Sequence, residues 1–160
     1  MLNDGWITRS VAWDAHECDD ARQIRIKVFV DEQHVSFEDE FDTIDRGAFH
    51  VLAYDAGGNP GGTGRLYDDA DDPASAHIGR MAVMREERGT GCGGAIMQAL
   101  IDEAQRRDYR RIVLSAQVHA IGFYARFGFH VTSDEYTDVG IPHRDMERIL
   151  PRAGSGEASC

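Results

Sequence analysis

The stretch Arg88-Gly89-Thr90-Gly91-Cys92-Gly93-Gly94 lies between an apolar run and an amphipathic one. Residues 78–83 before it read IGRMAV and predict a strand, and residues 95–104 after it repeat apolar side chains at helical spacing. A glycine-rich loop that opens a helix directs several backbone N–H groups at one point, with the positive end of the helix dipole behind them. Glycine suits this role because any Cβ would hold a ligand away from the backbone. The stretch therefore predicts a phosphate or pyrophosphate site.

Two other kinds of phosphate-binding loop are excluded by the context of the glycines. Gly89, Gly91 and Gly94 satisfy the dinucleotide pattern G-x-G-x-x-G, but residues 85–88 intrude between the strand and the glycines. The next predicted strand also ends without the acidic residue that would bind a ribose. A nucleotide P-loop is excluded because no Gly-Lys-Ser/Thr follows the glycines. A plain helix start without a ligand remains the structural alternative.

The composition is that of one globular domain. The chain has 160 residues, of which 42% are hydrophobic and 9% aromatic, so it is long enough to bury a core. No apolar run approaches the roughly 20 residues of a membrane span. The first residues, MLNDG, lack the basic and then apolar order of a signal peptide. We therefore expect a cytoplasmic protein with one domain over residues 1–150 and a flexible tail over 151–160.

The charge balance is strongly acidic. The formal net charge is -11, and Lys27 is the only lysine among 17 basic residues. Binding to nucleic acid relies on basic patches, so we expect no nucleic-acid partner. The lack of lysine fits either a salty cytoplasm or a GC-rich genome. The cysteines Cys18, Cys92 and Cys160 are widely spaced and odd in number, which predicts reduced thiols and no metal site.

The pattern along the chain has the order β-α-β-β-β-α-β-α-β-β. This order predicts an α/β domain with a mixed central sheet of about six to seven strands and helices on both faces. Asp19 and Asp20 are expected to cap the first helix, and the acidic residues 67–72 to form a solvated loop. The expected strands cover residues 7–13, 49–54, 64–67, 78–83, 111–116, 129–136 and 146–150, and the expected helices begin near residues 19, 92 and 120, with a loop or short helix over 37–45.

Two sequence motifs, one before and one after the strand predicted over 111–116, resemble those of a known family. The pattern Arg88-x-x-Gly91-x-Gly93 resembles the acyl-CoA pyrophosphate loop of the GNAT superfamily of N-acetyltransferases. The segment 117–129, QVHAIGFYARFGF, resembles the family's Asn-x-x-Ala-x-x-Leu-Tyr-x-x-x-Gly-Phe, with Gln117 in place of Asn and Phe123 in place of Leu. Together the two motifs imply the GNAT fold and binding of a CoA thioester.

Two further segments narrow the resemblance. Residues 28–33, VFVDEQ, and residues 140–146, GIPHRDM, are similar to the ElaA-like group within this superfamily. The resemblance covers roughly residues 25–146, which is most of the chain. It implies transfer of an acetyl group from acetyl-CoA directly to a primary amine. The resemblance leaves the acceptor open. Separately, the sequence contains no ligand-like cluster that calls for a metal ion.

The resemblance also implies roles for individual residues on the donor side. The tyrosine of the second motif, Tyr124, corresponds to a general acid near the CoA sulfur; from position alone it could equally be a core aromatic. An unperturbed phenol is protonated at neutral pH and can donate to a thiolate. The remaining donor-side residues would bind the pyrophosphate and the pantetheine, and they are Met81, Ala82, Val83, Arg88, Gly89, Thr90, Gly91, Cys92, Gly93, Gly94, Gln117 and Phe123.

The acceptor side is less explicit. Glu32, His119 and His143 are candidates for the base that removes a proton from the acceptor ammonium, and each could instead form only structural hydrogen bonds. Glu32, Gln33 and His143 are candidates for lining the acceptor pocket. The partners implied are a small-molecule or peptide amine and no membrane, with a homodimer left open. Two other functions stay open: a transferase using a longer acyl-CoA or acyl carrier donor, and a non-catalytic acyl-CoA sensor.

Overall fold

The computed structural model describes residues 5–151, and its strands form a mixed sheet. The strands are β1 (Ile7–Val11), β2 (Phe49–Tyr54), β3 (Pro60–Asp69), β4 (Asp72–Val83), β5 (Arg111–Gln117), β6 (His130–Val131), β7 (Tyr136–Asp138) and β8 (Ile141–Ile149). Their order in the sheet is β1-β2-β3-β4-β5-β8-β6, with β7 paired to β8. The β4–β5 pair is parallel, whereas β1–β2, β2–β3 and β5–β8 are antiparallel. The mixed α/β architecture predicted from the sequence is confirmed.

The helices lie between these strands in the expected order. The α-helices are α1 (Cys18–Arg25), α2 (Phe37–Glu40), α3 (Cys92–Arg106) and α4 (Ile121–Ala125). A π-helical segment, Ile26–Glu32, continues α1, and single 3-10 turns cover Thr43–Gly47, Arg85–Glu87 and Val118–Ala120. Asp19 and Asp20 lie in the first turn of α1 and do not cap it, since the N-cap position belongs to Glu17. Their carboxylates still stabilise the helix, because they lie near the positive end of its dipole.

The sheet has eight strands over the described residues, one more than the upper limit we predicted. The prediction of a single strand over 129–136 is wrong, because this part of the chain forms two short strands, β6 and β7. β8 begins at Ile141, five residues before the predicted start at Met146. The reason is the two-residue turn between β7 and β8, in which Val139 and Gly140 have φ of 46° and 79°. Two successive positive φ values are typical of a tight hairpin, which pairs the strands immediately.

The acidic stretch 67–72 is also not a loop. β3 extends to Asp69 and β4 starts at Asp72, so the connection is a tight turn. Aspartate side chains supply the hydrogen bonds that this turn needs: Asp69 Oδ1 accepts from the backbone N–H of Asp71 at 2.8 Å, and Asp72 Oδ2 accepts from the Ser75 hydroxyl at 2.7 Å. The aspartates therefore form the turn of a hairpin.

The described residues divide into two compact units. The first covers residues 5–67 and 80–101, and the second covers 68–79 and 102–151. The core of the first unit includes Leu52, Leu66, Ile96, Met97 and Leu100, and that of the second includes Ile112, Leu114, Ala116, Met146 and Leu150. Apart from Pro151, the predicted tail over 151–160 lies outside the described residues.

A buried ion network in the first unit was not predicted from the sequence. The Arg25 side chain is 1% exposed and donates to Glu40 Oε2 at 2.8 Å and to Asp45 Oδ1 at 2.7 Å. Arg65 donates to the same Asp45 oxygen at 2.7 Å. The backbone carbonyl of Asp45 is 2.8 Å from His50 Nε2. These contacts tie the acidic segment that contains α2 to α1 and to the sheet.

We expect Asp45→Asn to lower the free energy of unfolding by about 3 kcal/mol, because it leaves buried guanidinium groups short of a countercharge. Burial alone would raise the pKa of Asp45, but the hydrogen bonds and charges of Arg25 and Arg65 outweigh it and lower the pKa. The stabilisation is therefore present above the unfolded-state pKa and is lost as the pH falls through the lower folded-state pKa. Urea unfolding at neutral and acidic pH measures both effects. Asp39→Asn, an exposed change on α2, is the control; equal unfolding midpoints for the two variants would contradict the prediction.

Candidate active site

The glycine stretch forms the loop that leads into α3. Gly89 and Gly91 have φ of 80° and 92°, which L side chains rarely adopt, and α3 begins directly afterwards at Cys92. The backbone N–H of Ala95 donates to the Gly91 carbonyl at 3.0 Å, so the N–H groups just before it belong to the unsatisfied first turn of the helix. This is the arrangement expected of an anion site at a helix N-terminus.

Trp6 supports this loop and was missed by the sequence reasoning. Its Nε1–H donates to the Thr90 carbonyl at 3.1 Å, and its ring packs so closely on Gly61 that a Cβ there would lie 2.5 Å away. The Thr90 hydroxyl in turn donates to the Glu87 carbonyl. The side chains of Trp6 and Thr90 thus hold the loop in its conformation. A lone tryptophan near the start of the chain carries no sequence signal for this role.

Glu32 forms a bidentate salt bridge with Arg88 at the start of the loop. The Arg88 Nη1 and Nη2 atoms lie 2.7 and 2.8 Å from the two Glu32 oxygens, and Arg88 Nε donates to the Val83 carbonyl at 3.0 Å. The hydrogen bond from Arg88 holds the pKa of Glu32 below its ordinary value. A carboxylate stabilised in its charged form is a weak base. The geometry therefore argues against Glu32 as the residue that removes the acceptor proton.

The predicted pantetheine strand, Met81–Val83, lies at the carboxyl end of β4. The parallel register between β4 and β5 covers only Ser75 to His77, although β4 continues to Val83. Arg80, between the two parts of the strand, has a φ of 51°. A positive φ in a non-glycine strand residue marks an irregularity of the strand. The regular ladder with β5 thus ends before Met81.

Tyr124 lies in the second unit, on α4. It is 9% exposed, and its ring makes edge contacts with Phe123 and Phe129 at centroid distances of 5.1 and 6.4 Å. Burial raises the pKa of Tyr124 to about 12, so its phenol is protonated at neutral pH. α4 ends at Ala125, and Gly128, with a φ of 87°, lies in the turn that follows it. A protonated phenol is what a general acid requires.

The two candidate histidines occupy different environments in the second unit. His119 is exposed, and its Nε2 lies 2.7 Å from the Gln117 amide oxygen. His143 is 7% exposed, and its Nδ1–H donates to the Ile141 carbonyl at 2.7 Å. Gln117 on β5 is paired in register with His143 on β8. The structure therefore brings Gln117 together with both histidines, whereas Glu32 and Gln33 belong to the first unit.

A further cluster, Ser115–Tyr136–Asp145, was missed by the sequence reasoning. The Tyr136 hydroxyl donates to Asp145 Oδ1 at 2.5 Å and contacts the Ser115 hydroxyl. Alternation along β5 would have placed Ser115 on the same face as Gln117. Nothing in the sequence indicated that the hairpin of β7 and β8 returns Tyr136 to that face.

The described thiols are not nucleophiles. Burial raises the pKa of Cys92 to about 12 and that of Cys18 to about 11, so neither forms a thiolate at neutral pH. Within residues 5–151, no group of three His, Cys, Asp or Glu side chains is placed to hold a metal ion. None of the helices in that same range is both long enough and apolar enough to cross a bilayer.

Comparison with known proteins gives the class of this fold and site. The family profile described as an acetyltransferase (GNAT) domain matches residues 17–150. The chain therefore belongs to the GNAT family, and it is an acetyltransferase enzyme.

Individual relatives agree with this assignment. The chain is 35% identical over 137 residues to the uncharacterized N-acetyltransferase YjcF of Bacillus subtilis, covering 85% of this chain and 95% of that protein. Among solved structures it is similar to an acyl-CoA N-acyltransferase from Pseudomonas aeruginosa, with a TM-score of 0.77, 29% identity and coverage of 89% and 99% of the two chains. Escherichia coli ElaA gives a TM-score of 0.78 with 26% identity and the same coverage. The resemblance to the ElaA-like group is thereby confirmed.

Proposed function

We propose that this enzyme transfers an acetyl group from acetyl-CoA to a primary amine by direct attack of the amine on the thioester. The observation that carries the proposal is the loop at the start of α3, where Gly89 and Gly91 adopt positive φ and leave first-turn N–H groups for an anion. A pyrophosphate is the anion that acetyl-CoA would present there. The proposed roles rest on this placement of the donor.

The donor is proposed to extend from the loop along β4. The N–H groups of the loop, residues 88–94, would hold the pyrophosphate, and the backbone of Met81–Val83 would pair with the pantetheine amides like an added strand. A backbone N–H in that strand would also stabilise the oxyanion that forms at the thioester carbonyl. Gln117 and Phe123, from the second motif, are proposed as further donor contacts.

The chemistry requires two protons to leave the acceptor ammonium. The first must be removed before the nitrogen lone pair can attack the carbonyl carbon. As the C–N bond forms and the C–S bond breaks, the nitrogen loses the second proton and the thiolate gains one. We assign the donation to the thiolate to Tyr124, whose phenol stays protonated. The second nitrogen proton restores the Tyr124 phenol. Overall, the ammonium and acetyl-CoA give the amide, free CoA as the thiol and one proton released to solvent.

Glu32 is proposed as a positioning residue for the donor loop and not as the base. Its carboxylate fixes the Arg88 guanidinium, which also holds the Val83 carbonyl of the proposed pantetheine strand. The base is then one of the two histidines, His119 or His143. Gln33, which follows Glu32 in the chain, stays a proposed acceptor contact.

Glu32→Gln should raise the KM for acetyl-CoA about fivefold, since a partly exposed ion pair contributes about 1 kcal/mol. The kcat should stay within about twofold of the wild-type value. A base would behave in the opposite way, with a large loss of kcat and little change in KM. Steady-state kinetics with varied acetyl-CoA concentration measures the KM and the kcat separately. Glu86→Gln, next to Arg85 in the turn before the loop, is the control for loss of a negative charge nearby.

The proposed function is tested by incubating the enzyme with acetyl-CoA and a panel of primary amines and separating free CoA by chromatography. Release of CoA that depends on the amine supports the proposal. Binding of CoA without release for any amine would favour the acyl-CoA sensor instead. Faster release from a longer acyl-CoA than from acetyl-CoA would identify the alternative donor.

A further inference from the structure

Three polar side chains form a hydrogen-bonded chain on one face of the second unit. Since Tyr136 donates its proton to the Asp145 carboxylate, the Ser115 hydroxyl must donate to the Tyr136 oxygen. Ser115 on β5 is paired in register with Asp145 on β8, so the strands themselves place the two residues together. The arrangement fixes one oxygen of Asp145. Among residues 5–151, the other oxygen, Oδ2, has no hydrogen-bond partner.

His143 lies two residues before Asp145 on the same face of β8. Its ring stacks on the Tyr136 ring at a centroid distance of 6.0 Å and an angle of 20°. Because Nδ1–H donates to the Ile141 carbonyl, the ring proton of the neutral form is on Nδ1 and the lone pair is on Nε2. In the described part of the chain, no group forms a hydrogen bond with that Nε2. A side chain that is more than nine-tenths buried thus presents one unused proton acceptor.

The charged side chains around this face favour the binding of a cation. Asp134, Glu135 and Asp138 are exposed on the segment that carries Tyr136, and Arg144 lies on the opposite face of β8 by alternation. Burial and the hydrogen bond to Asp145 raise the pKa of Tyr136, so its ring and oxygen stay neutral beside the carboxylate. An aromatic ring beside a carboxylate is a good environment for an ammonium group. A carboxylate on the ligand would be repelled.

We propose that Tyr136, His143 and Asp145 form the amine end of the acceptor site and that the acceptor is a cationic primary amine without a carboxylate beside the amine. This inference rests on the proposed function. Asp145 Oδ2 and the Tyr136 ring hold the ammonium, and His143 Nε2 removes its first proton, which then passes to solvent. The amine attacks the thioester carbonyl carbon, and the sulfur leaves with the proton that Tyr124 donates. The second nitrogen proton then restores the Tyr124 phenol. His119, which is exposed and bonded to Gln117, is not the base in this scheme.

Substrate choice gives the first test, because cadaverine and lysine differ by one carboxylate. We expect kcat/KM for cadaverine to exceed that for lysine at least about tenfold, since the carboxylate of lysine meets the acidic face. In Asp145→Asn the ratio should fall towards one. A wild-type preference for lysine would overturn the inference.

Variants of the three proposed residues distinguish effects on acceptor binding from effects on proton removal. Asp145→Asn should raise the KM for cadaverine about tenfold and leave the KM for acetyl-CoA unchanged. Asp71→Asn, which removes an exposed negative charge from the turn between β3 and β4 of the same unit, should change neither. Tyr136→Phe keeps the aromatic ring and should raise the cadaverine KM about threefold, which provides a second reading if Asp145→Asn does not fold.

His143→Asn keeps an N–H for the Ile141 carbonyl and loses the proton acceptor. We expect kcat to fall at least about tenfold with little change in either KM, and added imidazole to restore part of it. A merely structural histidine would give no rescue. If wild type releases CoA with cadaverine but these variants match it, this inference fails and the proposed function stands. If wild type binds acetyl-CoA and releases no CoA with any amine, the proposed function itself fails.

Discussion

Replacing Tyr124 by Phe should lower amine-dependent release of CoA at least about tenfold while the protein stays folded and binds CoA normally. The change removes only the phenolic oxygen, and the ring keeps its contacts with Phe123 and Phe129. Without a proton donor, the thiolate must leave unprotonated or wait for water. The loss should appear in kcat and not in the KM for acetyl-CoA, because the proton is needed only as the C–S bond breaks.

A matched control for this variant is Tyr54→Phe. Tyr54 is a partly exposed tyrosine of the first unit, whose hydroxyl donates to Asp20 at 3.2 Å. The Tyr54→Phe variant also loses a phenolic oxygen, but this oxygen has no proposed role in the reaction. Its kcat should therefore equal that of the wild type. Full activity in Tyr124→Phe would refute the acid role, and an equal loss in both variants would show a general effect on the fold.

Replacing Gly91 by Val should abolish measurable CoA binding, a loss of at least about a hundredfold in affinity. Gly91 has a φ of 92°, which a β-branched residue avoids. The backbone must therefore change at the point where its N–H groups would face the pyrophosphate. The strain is about 1–3 kcal/mol, which is smaller than the usual stability of a domain, so the variant should still fold. Calorimetric titration with CoA measures the loss.

The control for backbone strain is Gly58→Val. Gly58 has a φ of 85° in the turn between β2 and β3, and an added Cβ there would meet no atom within 4 Å. It introduces comparable strain outside the donor loop and should bind CoA like the wild type. Wild-type affinity in a folded Gly91→Val variant would contradict the placement of the pyrophosphate.

The features that the sequence predicted well are local ones. The glycines of residues 88–94 and the apolar spacing of α3 lie next to one another in the chain, so the loop could be recognised without the fold. The same holds for the strand β5 and the short helix that carries Tyr124. In each case the interactions that form the structure connect near neighbours, or the residue type itself restricts the backbone, as glycine does.

The features that the sequence did not predict depend on distant pairs. Arg88 and Glu32 are 56 residues apart, and Arg25 and Asp45 are 20 apart. In the sequence Glu32 was a carboxylate in a family segment and therefore a candidate base. Its partner, which lowers its pKa, is brought to it only by the tertiary structure. The position of Tyr136 likewise depends on the hairpin turn at Val139, a residue that seldom has a positive φ.

The proposed reaction is direct acetyl transfer from acetyl-CoA to an amine. The most direct test is to incubate the wild-type enzyme with acetyl-CoA labelled in the acetyl group and a primary amine, and to follow the label by mass spectrometry in the amine, the donor and the protein. We expect the label to move to the amine nitrogen in step with the release of free CoA, and none to stay on the protein. Label retained in bound acetyl-CoA, or found on an enzyme side chain, would refute direct transfer.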